Sequence, residues 1–377
     1  MSVKNRNFVK NAKTAVIKIG SSVLLSGSSL DETVFGRIAK QVALLREAGI
    51  RVVIVSSGAI AAGMKQLGLS ARPDTIRKKQ AVAACGQSHL IRNYETAFLK
   101  NGFSVAQVLL TQDGLSDRRC FLNARGAFNE LLEMGVVPVV NENDTVAVEE
   151  IMFGDNDNLA AIVAAFVEAD LLLMMTNTDG VYDSNPENNS NARLLPVIED
   201  IDAAIKKSAG GTSGATTTGG MKTKLQAAAK ASAFGIPAII ADGRDFENIG
   251  KVFRSDEVGT LVVPTGEKLA ARKHWIAHTL KPKGEITLDE GASKAVGGDG
   301  KSLLPSGITK VSGEFGRGDP VLCLDPQGAE VARGLVSYSS DEVERIRGAK
   351  AAEIETILGY KYGNEIMHRD NLVVSVK

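Results

Sequence analysis

Blocks of apolar residues recur along the first 265 or so positions, each separated from the next by a longer stretch that is apolar on one face only. The first block, TAVIKI at 14–19, reads as a strand; residues 31–48 then place Val34, Ile38, Val42 and Leu45 on one helical face. The alternation continues with a strand at 51–56, helical segments to about residue 99, a strand at 103–110 and a helix at about 117–134. A strand at 135–140, a helix opened by GDNDN, a strand at 170–176, a helix at about 221–234 and a strand at 237–241 complete it. Strands this uniformly apolar are buried on both faces, so the pattern predicts an α/β fold: a mostly parallel sheet with helices on each side. Ligands of such sheets bind where loops leave the carboxyl ends of the strands.

The pattern changes near residue 266. Residues 266–283 gather basic side chains with His274 and His278 and read as a linker; from 284 short strand-like pieces alternate with glycine turns. The boundaries expected are an extension at 1–13, an α/β domain at 14–265, a small β-rich domain at 284–361 and a polar tail at 362–377. Lys plus Arg and Asp plus Glu number 44 each, so no net field calls for nucleic acid or a membrane surface. No apolar run approaches about 18 residues, and the start lacks the apolar core of a signal peptide. Cys85, Cys120 and Cys323 are odd in number and lack CxxC spacing, which argues against a disulfide framework or zinc site and for a reducing compartment. The expectation is a cytoplasmic protein, and the abundance of apolar helix predicts a homo-oligomer, a dimer or tetramer.

Candidate chemistry clusters at strand ends. Lys18 stands inside the first apolar strand, where an ammonium is costly unless it reaches a polar site or snorkels to solvent. Gly20, Ser21 and Ser22 follow it, with backbone N–H groups free to cradle an anion. Ser56, Ser57 and Gly58 open a helix, where capping would account for one serine. Asn141, Glu142, Asn143 and Asp144 are more polar residues than one turn requires. The same excess recurs at Asp155, Asn156, Asp157 and Asn158, at the mouth of the apolar run 159–165. Finally, GGTSGATTTGGMKTK at 210–224 leads into a helix carrying Lys222 and Lys224 in its first turns, against the macrodipole; a bound phosphate would reverse that penalty.

Neither G-x-x-x-x-G-K-[ST] nor G-x-G-x-x-G after the first strand occurs, and no histidine falls near these loops. Walker, Rossmann and Ser-His-Asp readings are therefore unsupported. Lysines, acid–amide clusters and glycine turns suit phosphoryl transfer, in which positioning and charge stabilisation do most of the catalytic work. A carboxylate acceptor, ionised at pH 7, would need no general base.

The segments VIKIGSS, IVSSGAIAAG, FLNAR, VVPVVNENDTVA, GDNDNLAA and TTGGMKTKLQAA, in this order over about residues 14–264, resemble the amino-acid kinase family. Within it they are similar to the branch whose acceptor is the side-chain carboxylate of glutamate. Residues 284–361, with GITKVSGEFGRGDPV and ARGLVSYSSDE, resemble a PUA domain. The resemblance implies a three-layer αβα sandwich followed by that domain. It implies an enzyme that converts L-glutamate and ATP, with Mg²⁺ carried by the nucleotide, to L-glutamyl 5-phosphate, the first step of proline synthesis, with proline as inhibitor. By the same resemblance Lys18 and Lys224 stabilise the transferring phosphoryl group and Asp157 orients them, with Asp155 or Asn158 left to cap the helix. Lys18, Ser57, Asn141, Asp144 and Asn156 would meet glutamate. Gly20, Ser21, Thr176, Asn177, Thr218, Gly219, Gly220, Met221, Lys222, Thr223 and Lys224 would line the nucleotide. Where the family has Thr-Asp, this chain has Thr176-Asn177, with Asp179 two residues on. The alternatives are a sister kinase acting on acetylglutamate or aspartate, and an RNA-binding PUA protein, which the balanced charge disfavours.

Overall fold

A computed structural model describes residues 6–26, 29–111, 115, 118–147, 156–186, 188–209, 220–264 and 282–375. The chain divides into two compact units, Met1–Leu115 with Ala124–Glu267 and Ser116–Asn123 with Lys268–Lys377.

The strands of the first unit are β1 (Thr14–Ile19), β2 (Leu25–Ser26), β3 (Ser29–Leu30), β4 (Arg51–Val55), β5 (Val105–Leu110), β6 (Val137–Glu142), β7 (Leu171–Thr176), β8 (Val197–Ile198), β9 (Ala238–Asp242) and β10 (Thr260–Val262). Apart from the β2–β3 hairpin they form one sheet in the order β5-β6-β4-β1-β7-β9-β10-β8. Every neighbouring pair is parallel except β9 with β10. The helices are α1 (Ser21–Leu24), α2 (Glu32–Glu47), α3 (Ala59–Leu67), α4 (Ile76–Leu99), α5 (Arg118–Glu133, whose residues up to Asn123 fall in the second unit), α6 (Asn156–Phe166), α7 (Ile201–Ala209), α8 (Met221–Ala233) and α9 (Glu247–Phe253).

Strand alternation assigns side chains to faces. Ala15, Ile17 and Ile19 of β1 join one core with Ile38 of α2, Tyr94 of α4 and Ile249 of α9. Val16 and Lys18 therefore take the opposite face, where α6 packs on β1 and β7 and α8 packs on β7 and β9. The predicted strand positions of the parallel sheet are those observed to within about two residues, because strands buried on both faces cannot carry polar residues without cost. The helix predicted at 31–48 runs Glu32–Glu47, with Asp31 accepting from the Thr33 N–H at 3.0 Å as its cap.

Two details lie outside the sequence pattern. The helices α3 and α4 touch backbone to backbone: a Cβ at Gly63 would stand 1.9 Å from the Val82 carbonyl oxygen, and one at Gly86 would stand 1.9 Å from that of Ala59. The 3-10 turn Arg6–Asn11 belongs to the first unit's fold, with Arg6 and Val9 buried. The Arg6 guanidinium donates to the carbonyl oxygens of Pro196 at 3.2 Å, Asp256 at 3.3 Å and Gly259 at 2.8 Å, and also to that of Val258. It thereby ties the segments that enter β8 and β10.

In the second unit β11 (Gly284–Leu288), β12 (Ile308–Gly313), β13 (Pro320–Leu324), β14 (Glu330–Leu335) and β15 (Leu372–Val374) form a sheet in the order β12-β11-β13-β14-β15. Its helices are α10 (Glu290–Gly297), α11 (Ser340–Ile346) and α12 (Ile354–Leu358). The polar tail expected at 362–377 is a correction: β15 pairs antiparallel with β14, and Ile366, Met367 and Leu372 are buried in this core. Ile366, Met367 and Leu372 are scattered among polar residues, and the fold turns these three inward. The buried Tyr338 hydroxyl fastens its start, donating to the Gly363 carbonyl at 2.6 Å and accepting from the Tyr362 and Gly363 N–H groups at 3.0 and 3.1 Å. Most of the linker expected at 266–283, residues 266–281, lies outside the described residues. Among the described residues no helix is long and apolar enough to cross a membrane.

Candidate active site

Three ionised side chains from three elements meet on the helix-covered face at the carboxyl end of β1. Lys18 is the penultimate residue of that strand, Asp157 lies in the first turn of α6, and Lys224 lies in the first turn of α8. Lys18 Nζ stands 2.6 Å from Asp157 Oδ1, and Lys224 Nζ stands 3.2 Å from Oδ2. All three are buried, each with under a tenth of its surface exposed. Thr223 Oγ1 lies 2.9 Å from Asp157 Oδ2 and 2.8 Å from the Gly220 carbonyl, so its single proton can go to either. Burial pushes the Asp157 pKa up; the charges of Lys18 and Lys224 and the hydrogen bonds from Lys18 and Thr223 outweigh it and hold the carboxyl at about 2. The α6 N-terminus also favours an acid at this position.

A second group forms where β4 and β6 end. Asn156, the first residue of α6, donates from Nδ2 to Ser57 Oγ and to Asn141 Oδ1, both at 3.1 Å. Asn141 in turn donates from Nδ2 to Gln87 Oε1 of α4 at 2.7 Å. Beneath them the Ser56 hydroxyl and the buried Tyr94 hydroxyl are 3.0 Å apart, and burial raises the Tyr94 pKa. Asp144 is half-buried and not part of this chain; desolvation alone lifts its carboxyl to about 6. Gly58, which follows Ser57, adopts φ 97°, a conformation open to glycine, and lets α3 start there.

The remaining sequence candidates surround the lysines. Gly20 donates its N–H to the Met175 carbonyl at 3.1 Å, and a Cβ there would lie 3.9 Å from Lys18 Nζ. Ser21 is exposed at the start of α1. Thr176 is buried at the end of β7 with its hydroxyl 3.4 Å from Asn177 Oδ1, while Asn177 faces solvent. Gly220 precedes α8, in which Met221 is half-buried and Lys222 exposed. Thr218, Gly219 and Asp155 lie outside the described residues.

Residues 13–242 match the sequence model of the amino acid kinase family. The chain belongs to the amino acid kinase family. Residues 284–358 match the PUA domain. Among the relatives, the glutamate 5-kinase of Geobacter sulfurreducens is 52% identical over 367 residues, 97% of this chain and 98% of its own length. The glutamate 5-kinase of Syntrophotalea carbinolica is 49% identical over 369 residues, 98% of this chain and 99% of its own. That of Syntrophus aciditrophicus is 46% identical over 374 residues, 99% of this chain and 97% of its own.

In this amino acid kinase, sequence reasoning missed Gln87 and Tyr94, which contact the strand-end polar residues from α4. Their signal is weak, since one polar and one aromatic residue on a long helix are unremarkable until the fold brings them to Asn141 and Ser56. Among the described residues no three acidic, imidazole or thiolate groups converge to hold a metal ion. The converging charges are instead two ammonium groups on one carboxylate, a donor set that fits the anionic phosphates of a nucleotide.

Proposed function

We propose that this chain transfers the γ-phosphoryl group of ATP to the γ-carboxylate of L-glutamate, giving L-glutamyl 5-phosphate and ADP, the first step of proline biosynthesis. The observation that carries the reading is the buried array of Lys18 and Lys224 on Asp157. A carboxylate oxygen of glutamate attacks the γ-phosphorus, the bond to the β,γ-bridging oxygen breaks, and ADP leaves with that electron pair. No proton has to be removed, because a free carboxylic acid with a pKa of about 4.3 is ionised at pH 7. Lys18 and Lys224 stabilise the charge that spreads over the transferring group, and Asp157 holds the two ammonium groups in register. A divalent cation arriving with ATP, Mg²⁺ on this reading, would offset part of the phosphate charge that Lys18 and Lys224 also face.

Glutamate is bound by Ser57, Asn141, Asp144 and Asn156, with Lys18 between it and the nucleotide. The nucleotide lies against Gly20, Ser21, Thr176, Asn177 and the segment 218–224. The catalytic domain occupies 14–265 and the PUA domain begins at 284. Proline inhibits the enzyme, which works in the cytoplasm as a dimer or tetramer. The names and extent of the relatives support glutamate over other acceptors. Trapping the acyl phosphate with hydroxylamine tests the reading. ATP-dependent hydroxamate should form with glutamate and not with aspartate or acetylglutamate; preference for either of the others, or no turnover of any, overturns it.

A further inference from the structure

We propose that Gln87, on α4, sets the substrate preference of the site by fixing the direction in which a chain of amides points. The inference rests on the assignment of glutamate to the pocket at Ser57 and Asn156. An amide is a donor at one end and an acceptor at the other, so its recognition of a ligand depends on which end its neighbours have already engaged. Gln87 Oε1 accepts from Asn141 Nδ2 at 2.7 Å, which turns Asn141 Oδ1 toward Asn156. Asn156 Nδ2 then spends both hydrogens, on Asn141 Oδ1 and Ser57 Oγ, each at 3.1 Å. Asn156 Oδ1 is left over: it is buried and has no hydrogen-bond partner among the described residues.

A buried acceptor without a donor is unfavourable until something supplies an N–H or O–H. The group on an amino acid that fits it is the α-ammonium, which carries donors and no acceptor. With every amide of the chain reversed, Asn156 would offer an N–H instead and would suit a carboxylate. Gln87 therefore selects between two opposite specificities without touching the substrate. It is a positioning residue, reached by none of the sequence motifs because its partner Asn141 lies 54 positions away.

The test compares glutamate with glutarate, which has the same two carboxylates and lacks the α-ammonium group. Gln87→Leu removes the acceptor, and Gln87→Glu keeps an acceptor while removing the donor. In Q87L the preference for glutamate over glutarate, as a ratio of kcat/KM, should fall roughly tenfold, the effect of one mispaired buried polar group, through KM for glutamate with kcat little changed. In Q87E the preference should stay within about threefold of wild type. A purely structural role would lower both substrates together and leave the ratio unmoved. An unmoved ratio in Q87L, or a ratio in Q87E that falls as far as in Q87L, overturns the proposal. Wild-type protein that turns over no glutamate overturns the functional reading itself, a separate result.

Discussion

Replacing Asp157 with asparagine keeps the shape of the side chain and removes the charge between two ammonium groups at 2.6 and 3.2 Å. Its carboxyl is held at about 2 against an ordinary 3.8. At about 1.4 kcal/mol per unit, that depression corresponds to about 2 kcal/mol of folding stability. The sign follows from the direction: a depressed acid stabilises above its unfolded pKa, so the contribution is present above about pH 4 and is lost as pH falls toward 2. Breaking a buried pair typically costs about 3–5 kcal/mol, a figure that already contains this charge interaction. Urea denaturation should therefore find Asp157→Asn about 3 kcal/mol less stable at pH 7, with a gap nearly constant down to about pH 4. Its kcat should fall about 10²–10³-fold, as for loss of a preorganised charged group. Saturating ATP should narrow the stability gap, because the phosphates give the freed ammonium groups a new counter-charge. A variant as stable as wild type with an unchanged kcat would refute the reasoning, and so would a gap that widens when ATP is added.

Gly86→Ala places a methyl group 1.9 Å from the Ala59 carbonyl oxygen, so α3 and α4 must separate; thermal melts should show a loss of about 2–3 kcal/mol. Arg6→Ala removes the donor to four carbonyl groups at the β8–β10 edge. It should destabilise the chain by about 2–4 kcal/mol in denaturant titrations while leaving KM for glutamate unchanged. Burial raises the Asp144 carboxyl to about 6, so folding favours its protonated form and this group's contribution to stability declines as pH rises from about 4 to 6. If the ionised carboxylate binds the substrate, kcat/KM for glutamate should climb through about pH 6, and Asp144→Asn should lose that limb in a pH–rate profile.

The parallel sheet was legible in the sequence because each strand is buried on both faces and so carries a nearly unbroken apolar run, as in LLLMMT at 171–176. The antiparallel strand β10 was not, since three residues give no period to read. The end of the second unit was misread for the same physical reason: Ile366, Met367 and Leu372 are scattered through polar residues and become a core only beside β14. At the site, Lys18 and Lys224 announced themselves by conflict with their surroundings, a charge in an apolar strand and a cation at a helix N-terminus, and Asp157 by an excess of polar residues at the mouth of an apolar helix. Gln87 and Tyr94 conflict with nothing locally, and their roles arise from contacts across 54 and 38 positions. Arg6 was read as part of an extension at 1–13, because the carbonyl groups it engages lie 190 or more residues away.

On the proposed mechanism Lys18 and Lys224 act on the migrating phosphoryl group and not merely on the binding of glutamate. Steady-state kinetics of Lys18→Ala and Lys224→Ala, with both substrates varied, test it most directly. Each variant should lose about 10²–10³-fold in kcat while KM for glutamate moves about threefold or less. If kcat survives and the loss falls on KM alone, the two ammonium groups bind substrate without stabilising the transfer, and the claim is contradicted.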